Sequence, residues 1–293
     1  MALIGLKEIL SKAREEKYAV GCFNVVNMET VRACIESAEE LSSPIIIAIA
    51  EVHLPFIDMD LLIPFMKECA EKASVSVCIL VDHGYNKKLI KKMIDLGMSS
   101  IMYDISALPF EEHVKRMKSM VEYCESMGVD VEGELGYVGR EEGGWDAIAE
   151  IDIKVKYSKD SRETTPAEAK EYIRCTGVNA LAVSIGNVHG QRTESANLNF
   201  ELLDEINRES TVPLVLHGSS GISNEDLKKA VEHGITKVNY YTGLSNAATN
   251  AIRKKLSSDL EWGDYHPLIG IAIEAMKKII REKITVLGSV NKS

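Results

Sequence analysis

Features that would indicate a membrane-embedded, secreted or nucleic-acid-binding protein are missing from this sequence of 293 residues. It contains no run of eighteen apolar residues, which argues against a helical membrane span. The first twenty residues carry seven charges spaced as on an amphipathic helix, so we expect no signal peptide there. The net charge is −10 and no basic stripe is present, which argues against a nucleic-acid partner.

Two motifs based on cysteine and glycine are also missing. The six cysteines form no C-x-x-C pair and lie mostly in apolar segments, which is typical of buried free thiols in a reducing cytoplasm. No G-x-G-x-x-G follows an apolar run, so a dinucleotide-binding sheet has no support. We therefore expect a cytoplasmic protein that does not bind a dinucleotide through this motif.

Eight short apolar or β-branched runs alternate with helical patterns, as in a parallel α/β fold. The runs cover residues 19–26, 44–50, 75–82, 99–104, 129–135, 180–186, 212–218 and 235–241. Eight strands can close a barrel, so we predict a single (β/α)8 TIM barrel spanning residues 1–293. An open doubly wound sheet is the alternative.

Helix boundaries are also visible in the sequence. Asn27 is a candidate N-cap after the first run, and a candidate helix before the eighth run begins at Ser223 and ends at Gly234. Residues 244–260 and 267–283 are predicted to form two further helices after the eighth run.

One connection is much longer than the others. After the fifth run, about thirty residues rich in glycine and charge precede the next helix. On a barrel this segment would emerge at the catalytic face. We therefore predict a lid over about residues 136–165, with an inert insertion as the alternative.

Reactive side chains follow the runs at the ends where barrel enzymes build their active sites. His83, His189 and His217 lie at or just after the ends of the third, sixth and seventh runs, each followed by glycine. Three imidazoles with an open fourth position are typical of catalytic zinc. Asp104 and Glu134, at the ends of the fourth and fifth runs, are either further ligands or groups that orient the imidazoles.

The neighbour of the first histidine is a candidate proton carrier. Adjacent side chains of a regular strand point to opposite faces, so we expect the third strand to end at Asp82, which lets Asp82 and His83 face one cavity while Gly84 makes the turn. A metal held by histidines would polarise a carbonyl as a Lewis acid. Glu141 or Glu142 could bring a base when the lid closes.

Small and hydroxyl-bearing residues follow the last two runs. The segments HGSSGIS and NYYTGLS precede helix N-termini, where backbone N–H groups bind anions. Phosphate sites of these barrels often lie after the seventh and eighth strands. The sequence therefore predicts an anionic ligand at this position.

The motifs VDHG, VEGELG, GNVHG, LVLHGSSGI and KVNYYT occur in this order. Together they resemble the class II, metal-dependent ketose-bisphosphate aldolases, and the likeness runs from FNVVNMET to LGSVNKS. The resemblance implies a (β/α)8 barrel, usually dimeric or tetrameric. It also implies reversible cleavage of a phosphorylated sugar, such as fructose or tagatose bisphosphate, into dihydroxyacetone phosphate and an aldehyde.

The resemblance also implies roles for individual residues. Asp82 would move the proton on the aldehyde-side oxygen, Glu142 would remove the C3 proton, and Asp104 would lie behind the metal ligands. The residues implied to bind Zn²⁺ are His83, His189, His217 and, in an alternative position, Glu134. The residues implied to hold dihydroxyacetone phosphate are Gly190, Gly218, Ser220, Asn239 and Thr242. The glycines that follow the histidines would serve a monovalent cation.

The sequence departs from the family pattern around the substrate. Thr193 replaces the usual lysine, for which the adjacent Arg192 could substitute, and Gly243 and Ser245 replace an acid and a base. The other departures are Ala50, Ile105 and Ser219. They motivate a variant hypothesis, in which the substrate is a phosphorylated ketose or keto acid whose aldehyde half lacks the distal phosphate.

Three other classes of function compete with a metal-dependent aldolase. A metal-dependent hydrolase of the same fold commonly carries H-x-H on its first strand, which has no histidine here. A Schiff-base aldolase needs a lysine toward the mouth of a strand, yet Lys237, the only lysine in the eight runs, lies near the start of the eighth. The third alternative is a non-catalytic, aldolase-like subunit.

Overall fold

The computed structural model describes residues 2–136, 138–140, 162–189, 197–258 and 263–293, and only the backbone of residues 139, 140 and 189. The strands are β1 Val20–Asn24, β2 Ile45–Ala50, β3 Val77–Gly84, β4 Ser100–Tyr103, β5 Asp130–Leu135, β6 Gly139–Arg140, β7 Ala180–Val183, β8 Val188–His189, β9 Leu214–Leu216 and β10 Ile235–Tyr240.

The helices alternate with these strands along the chain. They are α1 Leu6–Glu16, α2 Met28–Glu40, α3 Met59–Lys72, α4 Lys87–Leu96, α5 Phe110–Ser126, α6 Pro166–Thr176, α7 Phe200–Glu209, α8 Asn224–Glu232, α9 Thr242–Ser258 and α10 His266–Val286. None of the helices in the described ranges is long and apolar enough to cross a membrane.

Eight of the strands pair in parallel and close on themselves. Their order around the barrel is β1, β10, β9, β7, β5, β4, β3 and β2, so the predicted (β/α)8 barrel is confirmed. Each strand of the barrel corresponds to one of the eight apolar runs. The short strands β6 and β8 form a separate parallel pair, which the sequence did not predict.

The predicted N-caps are confirmed, and the two predicted helices after the eighth run, 244–260 and 267–283, correspond to α9 and α10 with bounds shifted by one to three residues. The Asn27 side chain accepts a hydrogen bond from the backbone N–H of Thr30, and the Thr30 hydroxyl accepts one from the backbone N–H of Asn27, which forms a capping box. The Ser223 hydroxyl caps α8 by accepting a hydrogen bond from the backbone N–H of Asp226, and Gly234 follows that helix with a φ of 110°. Glycine tolerates this left-handed conformation, which terminates the helix.

Helix α1 closes the amino-terminal end of the barrel. The backbone N–H of Leu6 donates to Ser100 Oγ at 3.0 Å, and that of Lys7 donates to Asp130 Oδ2 at 2.7 Å. Ser100 and Asp130 are the first residues of β4 and β5. The apolar face of α1 packs with side chains of the barrel interior such as Val20. The amino-terminal end is thereby sealed by an apolar plug.

The predicted lid falls largely outside the described residues. Residues 138–140 and 162–165 are the ends of the long connection that the structure describes, and Glu141 and Glu142 lie outside it. The Thr164 hydroxyl donates to the carbonyl of Leu135, and the backbone N–H of Ser184 donates to the Thr164 hydroxyl. The end of this connection is therefore fixed to β5 and to the end of β7.

The apolar plug leads to a prediction about stability. Leu10 is fully buried between α1 and the barrel interior, so Leu10→Ala should lower the free energy of unfolding by about 2–5 kcal/mol. Leu61→Ala, at a position 72% exposed on α3, is the control and should change it by less than about 0.5 kcal/mol. Urea unfolding followed by circular dichroism measures both. Equal effects of the two substitutions would contradict this account of α1.

Candidate active site

A bulge in β3 brings two adjacent side chains to the mouth of the barrel. Between Val81 and Gly84, β3 spans one more residue than the facing segment of β4, and His83 has a φ of 43°. This left-handed conformation interrupts the alternation of side chains. Both Asp82 and His83 are buried in one group of possible metal-ligating atoms.

The expected turn at Gly84 is therefore wrong. Gly84 is the last residue of β3, and the unusual backbone belongs to His83. A Cβ atom at Gly84 would lie 2.9 Å from the Ile90 side chain and 3.1 Å from the carbonyl oxygen of Met102. Glycine is needed there because helix α4 and strand β4 approach closely.

The two imidazoles at the centre of the site are oriented by carboxylates. His83 Nδ1 lies 2.8 Å from Asp104 Oδ2, and His217 Nε2 lies 2.9 Å from Glu132 Oε1. A neutral imidazole that donates from such a nitrogen to its carboxylate keeps a lone pair on its other ring nitrogen. Those two nitrogens, His83 Nε2 and His217 Nδ1, face one another at 3.1 Å.

The protonation state of His217 agrees with this arrangement. Its burial, together with the nearby His83 and Lys237, holds the pKa of the imidazole well below its ordinary value. A neutral imidazole is the form that binds a metal. His217 is therefore ready to act as a ligand at neutral pH.

Asp82 is held by two amides beside these imidazoles. Asn24 Nδ2 donates to Asp82 Oδ2 and Asn239 Nδ2 donates to Asp82 Oδ1, both at 2.8 Å. Burial alone would raise the pKa of Asp82, but the neighbouring His83 and His217, the Lys237 ammonium and the hydrogen bond from Asn24 outweigh it and keep the pKa below its ordinary value. The Asp82 carboxylate is therefore ionised and fixed in orientation, 4.0 Å from His83 Nε2.

Glu134 and Asp104 are connected through a hydroxyl. Ser106 Oγ lies 2.9 Å from Asp104 Oδ1 and 3.1 Å from Glu134 Oε1. His83, Asp104 and Glu134 form a second group of buried atoms with metal-ligating spacing. In this geometry Asp104 contacts His83, and Glu134 belongs to the same group of possible ligand atoms.

A fully buried ion pair lies beneath His217. Lys237 Nζ contacts both carboxylate oxygens of Glu132, at 2.8 and 3.0 Å. Burial disfavours the ammonium, but Glu132 and other acidic groups outweigh it and raise the pKa of Lys237 above its ordinary value. A protonated lysine is not a nucleophile, so this geometry does not favour the Schiff-base alternative.

The predicted anion-binding residues lie together after β9 and β10. Gly218 adopts a φ of 68° before a short 3-10 helix that contains Ser220. The backbone N–H of Gly243 donates to Ser220 Oγ at 3.3 Å. Thr242 is the first residue of α9, whose seventeen residues direct a helix dipole at this point. Small residues and a helix N-terminus are therefore combined here, as anion binding requires.

Several predicted residues lie outside the described part of the chain. Only the backbone of His189 is described, where it pairs with residue 140 between β8 and β6. Gly190, Arg192, Thr193 and Glu142 lie outside the described residues altogether. Their places at the site remain predictions.

Four functional neighbours were missed or misread in the sequence. They are Asn24, Ser106, Glu132 and Lys237. The signal for Glu132 was present, because it lies two residues before Glu134 in an otherwise buried strand and must share its face. A similar signal was present for Asn24, because it is the last residue of β1, just as Asp82 lies near the end of β3. For Ser106, which follows β4 in an irregular segment, no sequence signal was available.

The fold and this cluster of carboxylates and imidazoles together define a barrel enzyme with its candidate site at the carboxyl ends of the strands. The family described as class-II fructose-bisphosphate aldolase matches residues 4–292. The chain belongs to this family, a group of lyases.

Individual relatives agree with this assignment over their whole length. A fructose-bisphosphate aldolase of Staphylococcus aureus is 36% identical, and the alignment covers 100% of both chains. The structure of the YdjI aldolase from Escherichia coli superposes with a TM-score of 0.84 at 32% identity, covering 99% of both chains. A putative fructose-1,6-biphosphate aldolase from Coccidioides immitis gives the same TM-score at 29% identity, covering 98% of this chain and 97% of its own.

The ion pair beneath His217 leads to a second prediction. Lys237→Met leaves the buried Glu132 carboxylate without its counterion and should lower the free energy of unfolding by about 3–5 kcal/mol. Adding Glu132→Gln removes that charge and keeps an acceptor for His217, so the double variant should recover at least half of the loss. The measurement is urea unfolding of the single and double variants.

An exposed ion pair of the same chain provides the control. Lys72 contacts Glu68 on the surface of α3, and Lys72→Met should cost less than about 1 kcal/mol. If the Lys237 double variant shows the sum of the two single losses, Glu132 and Lys237 are not coupled as described.

Proposed function

We propose that this chain is a zinc-dependent aldolase that reversibly cleaves a ketose phosphate into dihydroxyacetone phosphate and an aldehyde. One observation carries the proposal. Carboxylates contact one ring nitrogen of His83 and one of His217, and the other two ring nitrogens lie 3.1 Å apart. Two imidazole nitrogens at this spacing can share a cation, and an ionised Asp82 lies beside them.

The donor atoms fit zinc in kind as well as in position. Imidazole nitrogen and carboxylate oxygen are ordinary zinc ligands. We assign His83 and His217, with His189 from β8, as the ligands, and Glu134 as an alternative one. Asp104 orients His83 from behind. When bound, zinc would polarise the ketose carbonyl and stabilise the negative charge that develops on its oxygen.

The protein side chains move the protons. Asp82 accepts the proton of the C4 hydroxyl as the C3–C4 bond breaks, which releases the aldehyde and leaves the bonding electrons on the dihydroxyacetone phosphate half. Glu142 then delivers a proton to C3. In the reverse direction Glu142 removes that proton. Asn24 and Asn239 hold the Asp82 carboxylate in place, so the transfer needs little reorganisation.

The phosphate of the shared half would bind after β9 and β10. Gly218, Ser220 and Thr242 lie there beside the N-terminus of α9. Asn239 Oδ1 is buried and has no hydrogen-bond partner among the described residues, so it can accept a hydrogen bond from a substrate hydroxyl. We assign Gly190 and Arg192 to the same half, with a monovalent cation near the glycines that follow the histidines.

The proposal extends to the whole molecule. We place the protein in the cytoplasm because its six cysteines form no disulfide. It acts as one domain over residues 1–293, with a lid over about residues 136–165, and assembles as a homodimer or homotetramer. Neither nucleic acid nor a membrane is proposed as a partner.

A third prediction tests the function and Asp82 together. The purified protein should contain about one zinc ion per chain by elemental analysis, and it should cleave a ketose 1-phosphate or bisphosphate in an assay coupled to dihydroxyacetone phosphate. Chelation should abolish cleavage, and added zinc should restore it. Asp82→Asn should lower kcat by about 10²–10⁴-fold and leave the zinc content unchanged.

Asp95→Asn, at an exposed position on α4, is the matched control and should keep normal kcat and zinc content. A protein that holds no zinc and cleaves no ketose phosphate would overturn the proposed function in favour of a non-catalytic subunit. Cleavage that persists after complete removal of metal would overturn the role of zinc.

A further inference from the structure

A cavity of about 310 Å³ opens beside the candidate active site, between α2, α9 and α10. Asn24 lines one end of this cavity, and its side chain donates to Asp82 Oδ2. The cavity is therefore separated from the proton-accepting carboxylate by a single side chain. Under the proposed function, on which this inference rests, Asp82 serves the aldehyde half of the substrate, and so the cavity lies next to that half.

The walls of the cavity are mainly apolar. They come from α9 and α10, the two helices that follow the last strand of the barrel. The apolar side chains include Leu244, Ala248, Ile252, Ile269, Ala272 and Met276. A ligand in this cavity would therefore gain free energy by burying hydrocarbon surface.

The charges around the cavity do not suit a phosphate group. Among the described lining residues, Glu29 is the only charged one, and neither lysine nor arginine is present. The N-terminus of α2 also reaches the cavity, but the Asn27 side chain already accepts the backbone N–H of Thr30. A phosphate dianion here would lose hydration without gaining a cation and would be repelled by the Glu29 carboxylate.

The opposite end of the site, in contrast, suits a phosphate group. Gly218, Ser220 and the first turn of α9 combine small residues, a hydroxyl and a helix N-terminus. This is the chemistry that binds one phosphate. The two ends of the site therefore differ in their capacity to bind a phosphate group.

We propose that this cavity binds the aldehyde half of the substrate and that this half carries no phosphate. The substrate class is a ketose 1-phosphate whose far end is uncharged and partly hydrocarbon, such as a deoxy sugar. Asn24 and Tyr241 are among the polar residues that line the cavity, and they can hydrogen-bond hydroxyl groups of this half. Glu29 and the apolar walls exclude a second phosphate.

The first experiment compares three substrates with the zinc-loaded protein, namely 6-deoxyfructose 1-phosphate, fructose 1-phosphate and fructose 1,6-bisphosphate. We expect kcat/KM of the deoxy compound to exceed that of the bisphosphate at least tenfold. A smaller ratio, or a preference for the bisphosphate, would overturn the inference.

Exchange of the C3 proton of dihydroxyacetone phosphate in heavy water separates this inference from the proposed function. The exchange needs only the shared half of the substrate. Exchange without the expected preference overturns the inference alone, whereas absence of both exchange and cleavage overturns the proposed function and this inference with it.

A charge placed in the cavity gives an independent test. Ile269→Arg should raise kcat/KM for the bisphosphate relative to fructose 1-phosphate at least tenfold. Gly270→Arg is the matched control, because Gly270 lies outside the lining and a Cβ atom there meets open space. It should leave the substrate ratio unchanged. Equal responses of the two variants, or no response of either, would contradict the assignment of the cavity.

Discussion

The left-handed backbone of His83 is the constraint on which the rest of the candidate site depends. It costs about 1–2 kcal/mol for a residue other than glycine, and it converts the alternation of a strand into two neighbouring side chains in one cavity. Without it Asp82 or His83 would point into the wall of the barrel. The bulge also sets the positions of the partners. Asn24 and Asn239 meet Asp82, while Asp104 meets His83.

Buried polar side chains extend deeper into the barrel than the cluster around Asp82 and His83. Glu132 and Lys237 are fully buried beneath His217, between the site and the apolar layer that α1 seals. A buried ion pair contributes little net stability compared with a hydrophobic pair. Its value here is orientation, because Glu132 contacts His217 and Lys237 contacts both oxygens of the Glu132 carboxylate. The barrel therefore combines an apolar lower half with a polar upper half in which His83 and His217 each contact a carboxylate.

The barrel and its mouth were predictable because they follow from periodicity and position. The eight apolar runs predicted the eight strands. The polar residues near the ends of the runs predicted site positions for Asp82, Asp104, Glu134 and His217. What the sequence did not reveal depends on contacts across the barrel. The sequence showed Lys237 only as the single lysine of the eight runs, and its pairing with Glu132, 105 residues earlier, became visible in the structure. The glycine after His83 suggested a turn, whereas the need for glycine there is explained by the close approach of the Ile90 side chain. Such distances cannot be read from local spacing.

The reacting residues and the walls of the cavity lie on different parts of the chain, so the chemistry and the choice of substrate can vary separately. The proposed proton carrier and the two described histidines of the central cluster lie on or directly after strands of the barrel, where the parallel ladder fixes their positions. The cavity beside Asn24 is walled mainly by α9 and α10, which follow the last strand. Side chains on these helices can change without disturbing the ladder or the buried ion pair. Membership in the family therefore determines the reaction, whereas the charge and polarity of this outer wall determine which aldehyde can leave the site.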